Sequence, residues 1–174
     1  MTVSTIHHRL ACFGLAAILA LGPSLWSPRA SAQGASAQDA VAAWRVECTG
    51  DGKILECRAI QQMINRDDKQ LVAGLAARLV GVDKAAALAI QLPLGISLAE
   101  PVQLKVDNGT AEKYPVQTCT NVGCIVNVPL KEPLLAAMRT GTLLKISIQD
   151  TNKRTLNIDV PLLGFGLAFD KATK

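Results

Sequence analysis

Histidine is nearly absent from this 174-residue chain, which contains only His7 and His8. Beyond residue 32 there is none, so Ser–His and Cys–His nucleophilic catalysis and histidine-bound zinc are excluded from that part of the chain. Serine is also scarce there: it occurs at Ser36, Ser97 and Ser147, and none of these lies in a G-x-S-x-G motif. An enzyme built on this sequence would have to rely on its carboxylates.

The sequence also has few aromatic residues and no marked excess of positive or negative charge. Four aromatic residues follow residue 32, at Trp44, Tyr114, Phe165 and Phe169, which is few for a protein that stacks sugar rings. The same part of the chain carries 16 Lys and Arg against 14 Asp and Glu, scattered singly. It lacks the basic stripe that nucleic-acid binding requires. A periplasmic hydrolase that cleaves an envelope glycan with two carboxylates is kept only as the alternative hypothesis.

The first 32 residues are typical of a secretory signal peptide. An apolar run at 10–21 follows the basic Arg9, and the small residues at 30–32 match the positions that signal peptidase reads. The run is shorter than the roughly 20 residues of a transmembrane helix, so we expect no membrane anchor after cleavage. Cleavage is expected after Ala32, with residues 35–37 as a second possible site, and the product is expected to be periplasmic or secreted.

The remaining sequence divides into two segments. Residues 33–43 are small and polar and predict a flexible lead-in. Residues 44–174 are long enough to form one domain with its own core.

Four cysteines follow the signal peptide: Cys48, Cys57, Cys119 and Cys124. An even number in an exported chain indicates two disulfides, and three connectivities are possible. Local pairing, Cys48–Cys57 and Cys119–Cys124, is favoured because each pair encloses turn-forming residues, although long-range pairing stays open. The spacings fit neither a four-thiolate zinc site nor a C-x-x-C redox motif. We therefore predict structural disulfides, with no metal and no cofactor.

Alternation of apolar and polar residues predicts short strands separated by turns throughout the domain. Hairpins are predicted over residues 44–63 and 143–160, and a short helix over 132–141, where proline opens the segment and glycine follows it. The stretch 71–80 is ambiguous, since its alanines favour a helix whereas its alternating pattern favours a strand. About eight strands with regular turns are typical of an antiparallel sandwich.

An ordered set of short motifs spans about residues 44–170. In chain order it comprises W-x-V-x-C from Trp44, Gln61-Gln62 after the second cysteine, "QLPLGISL" at 91–98, V-D-x-G from Val106, "CTNVGC" at 119–124, the 134–141 helix, and "PLLGFGLA" at 161–168. Together these motifs resemble the invasion associated locus B family of exported bacterial proteins. The resemblance implies an immunoglobulin-like β-sandwich in the cell envelope and favours a strand at 71–80. It supplies no catalytic motif, and the family takes its name from a pathogen protein linked to entry into host red cells.

Two apolar segments are candidates for partner docking. The first is Pro93, Leu94, Gly95 and Ile96, which either end a strand or form a docking loop at the end of the sandwich. The second surrounds Phe165, where packing in the core is the favoured interpretation and docking the alternative. We therefore predict a non-enzymatic exported interaction protein, possessing an all-β, immunoglobulin-like antiparallel sandwich with one short helix and two local disulfides. The identity of its protein or envelope partner and its oligomeric state are left open.

Overall fold

Ten strands and two helices form the described part of the chain, which is residues 44–50, 52 and 54–174 of a computed structural model. The predicted signal peptide and lead-in lie outside the described residues. In chain order the elements are β1 Arg45–Gly50, β2 Leu55–Ile64, β3 Leu71–Val80, β4 Ala85–Leu92, β5 Val102–Val106, β6 Glu112–Tyr114, β7 Thr118–Thr120, β8 Gly123–Pro129, α1 Glu132–Thr140, β9 Leu143–Gln149, β10 Thr155–Pro161 and α2 Phe165–Ala172.

The strands form two sheets in which every pairing is antiparallel. One sheet has six strands in the order β1-β2-β3-β4-β8-β7, and the other has four in the order β10-β9-β5-β6. Alternate residues of both sheets point inward and form one hydrophobic cluster with the helices. The prediction of an all-β, immunoglobulin-like antiparallel sandwich is confirmed.

The ambiguous stretch at 71–80 is strand β3. It pairs with β2 on one side and β4 on the other, so backbone bonding on both edges outweighs the helix propensity of its alanines. Ala73, Leu75 and Ala77 are buried in the core, as a period of two requires.

A second helix corrects the prediction of one short helix. Helix α2 begins after Gly164, whose φ of 86° is a conformation that favours glycine and turns the chain away from β10. The helix places Phe165 and Phe169 one turn apart on the same face. Trp44 contacts Phe165 edge-to-face with ring centroids 4.9 Å apart, and Phe169 stacks on Phe165 at 5.7 Å. These rings fill the core beside β1 and β2.

Both disulfides join residues that lie directly opposite each other on neighbouring strands. Cys48 pairs with Cys57 across β1 and β2, and Cys119 pairs with Cys124 across β7 and β8. The prediction of two local disulfides is confirmed, and each one closes a hairpin.

Candidate functional site

The loop after β4 carries the predicted docking residues and crosses from the six-stranded sheet to the four-stranded one. It is bonded to the β9–β10 turn: Ser97 N donates to Gln149 O at 2.7 Å, and Thr151 N donates to Gly95 O at 3.2 Å. Ile96 and Asp150 form an isolated β-bridge between the two segments. The loop therefore has a defined conformation at this end of the sandwich.

Asp150 organises the turn that supports this loop. Its carboxylate accepts hydrogen bonds from Asn152 N at 2.8 Å, from Arg154 N at 2.9 Å and from Arg154 Nε at 2.7 Å. The bond from the Arg154 backbone, together with those from its side chain and from Asn152, lowers the pKa of Asp150 below its usual range. Asp150 is therefore a structural anchor in its charged form.

The turn of the second disulfide lies beside the end of β4. Gln91 Nε2 donates to Val122 O at 2.7 Å, and Leu92 pairs with Cys124. Gly123 has a φ of 135°, and a Cβ atom there would lie 2.4 Å from Leu92 O. Only glycine lets the two chains approach this closely, so the disulfide turn is held against the end of β4, where the β4–β5 loop begins.

Three large apolar side chains are exposed on these two loops. Leu94 and Leu98 from the β4–β5 loop are 56% and 64% exposed, and Val122 from the disulfide turn is 68% exposed. We call these three residues the end surface. Single exposed apolar residues are common on proteins, but three on two loops that are each bonded to the body of the fold form a candidate binding surface.

The predicted docking residues differ in how far the structure exposes them. Leu94 and Gly95 are exposed and Pro93 is half-buried, whereas Ile96 is buried beneath the loop. Phe165 is fully buried at 0% exposure, so the docking role proposed for its side chain is wrong and core packing is what the structure shows. Leu98 and Val122 were missed, because nothing in the sequence indicates which loop residues stay uncovered.

The outer face of the six-stranded sheet was missed as well. The alternation that buries Leu88 and Ile90 turns Ala76, Ala87 and Ala89 outward, and they floor a shallow groove of about 470 Å³. In contrast, the outer face of the four-stranded sheet carries long polar side chains such as Lys105 and Lys145. The alternating alanines predict a strand, but they do not show which of its faces is covered.

Comparison with known proteins shows which protein family has this architecture. The model of the invasion associated locus B (IalB) family matches residues 44–173, most of the chain. The chain belongs to the IalB family.

Individual IalB relatives agree with this assignment. The chain is 26% identical over 129 residues to invasion protein B homologs of Brucella abortus strain 2308 and of Brucella abortus biovar 1 strain 9-941, which covers 74% of this chain and 74% of each relative. The crystal structure of invasion associated protein B from Bartonella henselae is 27% identical, with a TM-score of 0.68 over 76% of this chain and 91% of that one.

Two structural features bear on where this IalB family member is found. Two disulfides are typical of proteins in an oxidising compartment, which indicates export from the cytoplasm. Among the residues that the structure describes, no helix is long and apolar enough to cross a membrane.

Among the described residues of this IalB domain, three carboxylates have clearly displaced pKa values, and all three are stabilised in the charged form. Backbone N–H groups of Thr142 and Leu143 lower the pKa of Asp107, and the Arg139 guanidinium lowers that of Asp170. Asp150 behaves in the same way. A catalytic acid needs a raised pKa, so these groups have the electrostatics of structural ligands for N–H donors. In residues 44–50, 52 and 54–174, no three acidic or cysteine side chains gather to hold a metal ion.

Replacing Asp150 with Asn is expected to loosen the docking loop and to lower the melting temperature by a few degrees. Because the folded pKa is lowered, the stability that Asp150 contributes is present above its unfolded pKa and is lost as the pH falls through the folded value. The variant should therefore lose stability at about pH 7 and differ little from the parent near pH 2. Denaturant unfolding across this range, with amide exchange at Ser97, measures both effects. The same replacement at exposed Asp67 is the control, and equal effects at both positions would contradict the anchoring role.

Proposed function

We propose that this IalB family member is a non-enzymatic binding protein that acts in the periplasm or outside the cell, where it docks a protein partner through the end surface. The observation that carries the proposal is the exposure of Leu94, Leu98 and Val122 on two fixed loops. The β4–β5 loop is bonded to the β9–β10 turn, and the disulfide turn is bonded to β4. The predicted signal peptide, with cleavage after Ala32, supports the location.

Rigidity makes the end surface suitable for binding. A flexible loop loses conformational freedom when it binds, and that loss weakens affinity. Here the Asp150 turn and the Cys119–Cys124 disulfide hold the loops in the unbound protein. Apolar side chains on a preformed surface can then be buried by a partner with little cost for ordering the loops that carry them.

A binding role fits the charge chemistry better than the alternative of a glycan hydrolase. That reaction needs one carboxyl group with a raised pKa facing a second carboxylate across a cleft. Asp107, Asp150 and Asp170 instead have lowered pKa values, each caused by hydrogen bonds that hold the backbone or a neighbouring helix in place.

The partner is proposed to belong to the cell envelope or to a host cell. Relatives of this chain are named invasion protein B homologs and invasion associated protein B. A contribution to host-cell attachment is therefore the finer form of the proposal, to be tested separately from binding.

Site-specific photocrosslinking in intact cells tests the docking surface. A photoreactive amino acid at Leu94 is expected to yield a discrete crosslinked product, which excess unlabelled protein competes away. Gln103, exposed on the outer polar face of the four-stranded sheet, is the matched control position and is expected to yield none. Adding Val122→Asp should abolish the Leu94 product, because a carboxylate within an apolar contact is costly to desolvate.

Three outcomes would contradict the proposal: equal crosslinking at Leu94 and Gln103, no product at either, or a product that Val122→Asp leaves intact. Incubation of the purified protein with isolated envelope glycan tests the enzymatic alternative, since release of soluble fragments would favour it. A deletion strain complemented with the parent or with Leu94→Asp then tests host-cell attachment, which should be restored only by the parent.

A further inference from the structure

The outer edge of β10 presents backbone groups that can pair with another strand. In an antiparallel pair, hydrogen-bonded residue pairs alternate with non-bonded ones. Asp150 N donates to Arg154 O at 3.0 Å and Leu162 N donates to Thr142 O at 2.8 Å, so the even-numbered residues of β10 bond to β9. The N–H and C=O groups of Thr155, Asn157 and Asp159 therefore point away from β9, and none of them has a hydrogen-bond partner in the described part of the chain.

This edge is less protected than the other sheet edges. Natural edge strands avoid unwanted pairing by being short or by carrying charges and proline. β6 and β7 have three residues each, and β1 carries Arg45 and Glu47 in its first half. β10 has seven residues with one charged side chain, Asp159, and its inward-pointing Leu156 is still 44% exposed. The exposure of Leu156 shows that its own sandwich does not cover it.

The segment of β10 that can pair with an added strand has a defined beginning and end. Pro161 has no N–H group, and its carbonyl already accepts a hydrogen bond from Trp44 Nε1 at 3.0 Å. At the other end Lys153 has a φ of 62° and belongs to the turn. An added strand can therefore use residues 155–159, and full pairing of these groups sets its register.

We propose that the occupant of this edge is β10 of a second copy of the chain, antiparallel and centred on Asn157. The backbone groups of Thr155, Asn157 and Asp159 from both copies then bond to one another, and the two four-stranded sheets join into one. This interaction uses a different part of the molecule from the end surface and does not depend on the proposed binding function.

The side chains of β10 are complementary to themselves in this register. Thr155 lies opposite Asp159 of the second copy, so that a hydroxyl faces a carboxylate and no like charges meet. Leu156 lies opposite Ile158, which covers the apolar side chain that the single chain leaves exposed. Cross-strand pairs of these kinds stabilise antiparallel sheets. A strand of unrelated sequence has no such match built into β10, which is why a second copy is the favoured occupant.

Charge changes at Thr155 test the register directly. In the proposed dimer this residue faces Asp159 of the other copy twice, once on each side of the symmetry axis. Thr155→Asp is therefore expected to weaken association about tenfold, whereas Thr155→Lys is expected to strengthen it and to make it salt-dependent. Sedimentation velocity of the purified, oxidised protein over a concentration series measures both dissociation constants.

Asn157→Pro tests the backbone bonds at the edge. The Asn157 N–H points away from β9, so proline leaves the β9–β10 backbone bonds in place and removes the central donor from each copy, at the cost of one exposed side-chain bond from Ser147 Oγ to Asn157 Oδ1. Association should be lost while the melting temperature of the dilute protein stays within a few degrees of the parent.

Gln103→Asp, on the interior strand β5 of the same sheet, is the control and should leave association unchanged. The proposal is overturned if the parent stays monomeric at all accessible concentrations. It is also overturned if Thr155→Asp and Thr155→Lys shift the dissociation constant in the same direction, or if folded Asn157→Pro still associates like the parent.

Discussion

Replacing Phe165 with alanine is expected to remove about 3–5 kcal/mol from the free energy of unfolding. Phe165 is fully buried and touches both other rings of the aromatic cluster, Trp44 at 4.9 Å and Phe169 at 5.7 Å. Truncation loses the burial of the ring and its aromatic contacts, and it leaves a cavity that a close-packed core fills only in part. For a domain of this size the melting temperature should fall by roughly 10–20 °C.

Leu167 provides a matched control for this prediction. It lies in the same helix, two residues further on, but is 75% exposed. Leu167→Ala removes a side chain of similar chemistry and should change the unfolding free energy by no more than about 0.5 kcal/mol. Circular dichroism melts and denaturant titrations of both variants give the comparison. If the two replacements cost the same, helix α2 does not dock in the way that the structure shows.

The aromatic cluster also illustrates how far the sequence predicts this fold. Packing in the core was the favoured interpretation of the segment around Phe165, and Phe165 is fully buried there. The helix itself was not included in the predicted fold, because an eight-residue segment that contains Gly166 and two phenylalanines has a weak intrinsic preference for helix. It is stabilised by packing against β1 and β2, which a local pattern does not contain.

Strand β3 also shows that a local sequence does not always determine secondary structure. Its local sequence balanced helix against strand, and the resemblance to a known family favoured the strand. The balance arises because Leu71, Leu75 and Leu79 fit a helical stripe while Ala73 and Ala77 fit the alternating pattern. Pairing with β2 and β4 decides between the two, and the sequence of β3 alone does not contain those partners.

The sequence predicts where the β4–β5 loop lies better than it predicts which residues are exposed there. Proline and glycine at 93–95 correctly indicated a loop, in which Leu94 is exposed, while its docking role stays a prediction. Ile96 is buried because its backbone bridges to Asp150, a contact across 54 positions of sequence. Val122 joins the end surface only because the disulfide turn lies against β4. Contacts between loops of different sheets decide exposure, and no periodicity in the sequence records them.

Reduction of both disulfides is expected to produce the second large loss of stability, about 4–6 kcal/mol in total. In the chain-entropy model each cross-link restricts the unfolded chain, and loops with separations of 9 and 5 residues contribute roughly 2–3 kcal/mol apiece. The contribution is large because each bond joins residues that already face each other across a hairpin, so the folded chain has them in place. Melting temperatures with and without reductant, alongside thiol alkylation and intact mass, measure the effect.

Double variants that each remove one disulfide measure how much each bond contributes to the stability. Cys48 is exposed and Cys57 half-buried, so the double serine variant removes the first cross-link without placing a hydroxyl in the core. Cys124 is buried, and alanine is therefore the better replacement for the Cys119–Cys124 pair. Each variant should lose roughly 5–12 °C in melting temperature and respond to reductant only through its remaining disulfide. Four alkylated thiols in protein purified without reductant, or a parent whose melting temperature is unmoved by reduction, would contradict a structural role for these bonds. The Cys119–Cys124 variant should also weaken crosslinking at Leu94, since the turn that carries Val122 then has no covalent link and is held by the short β7–β8 ladder and the bond from Gln91.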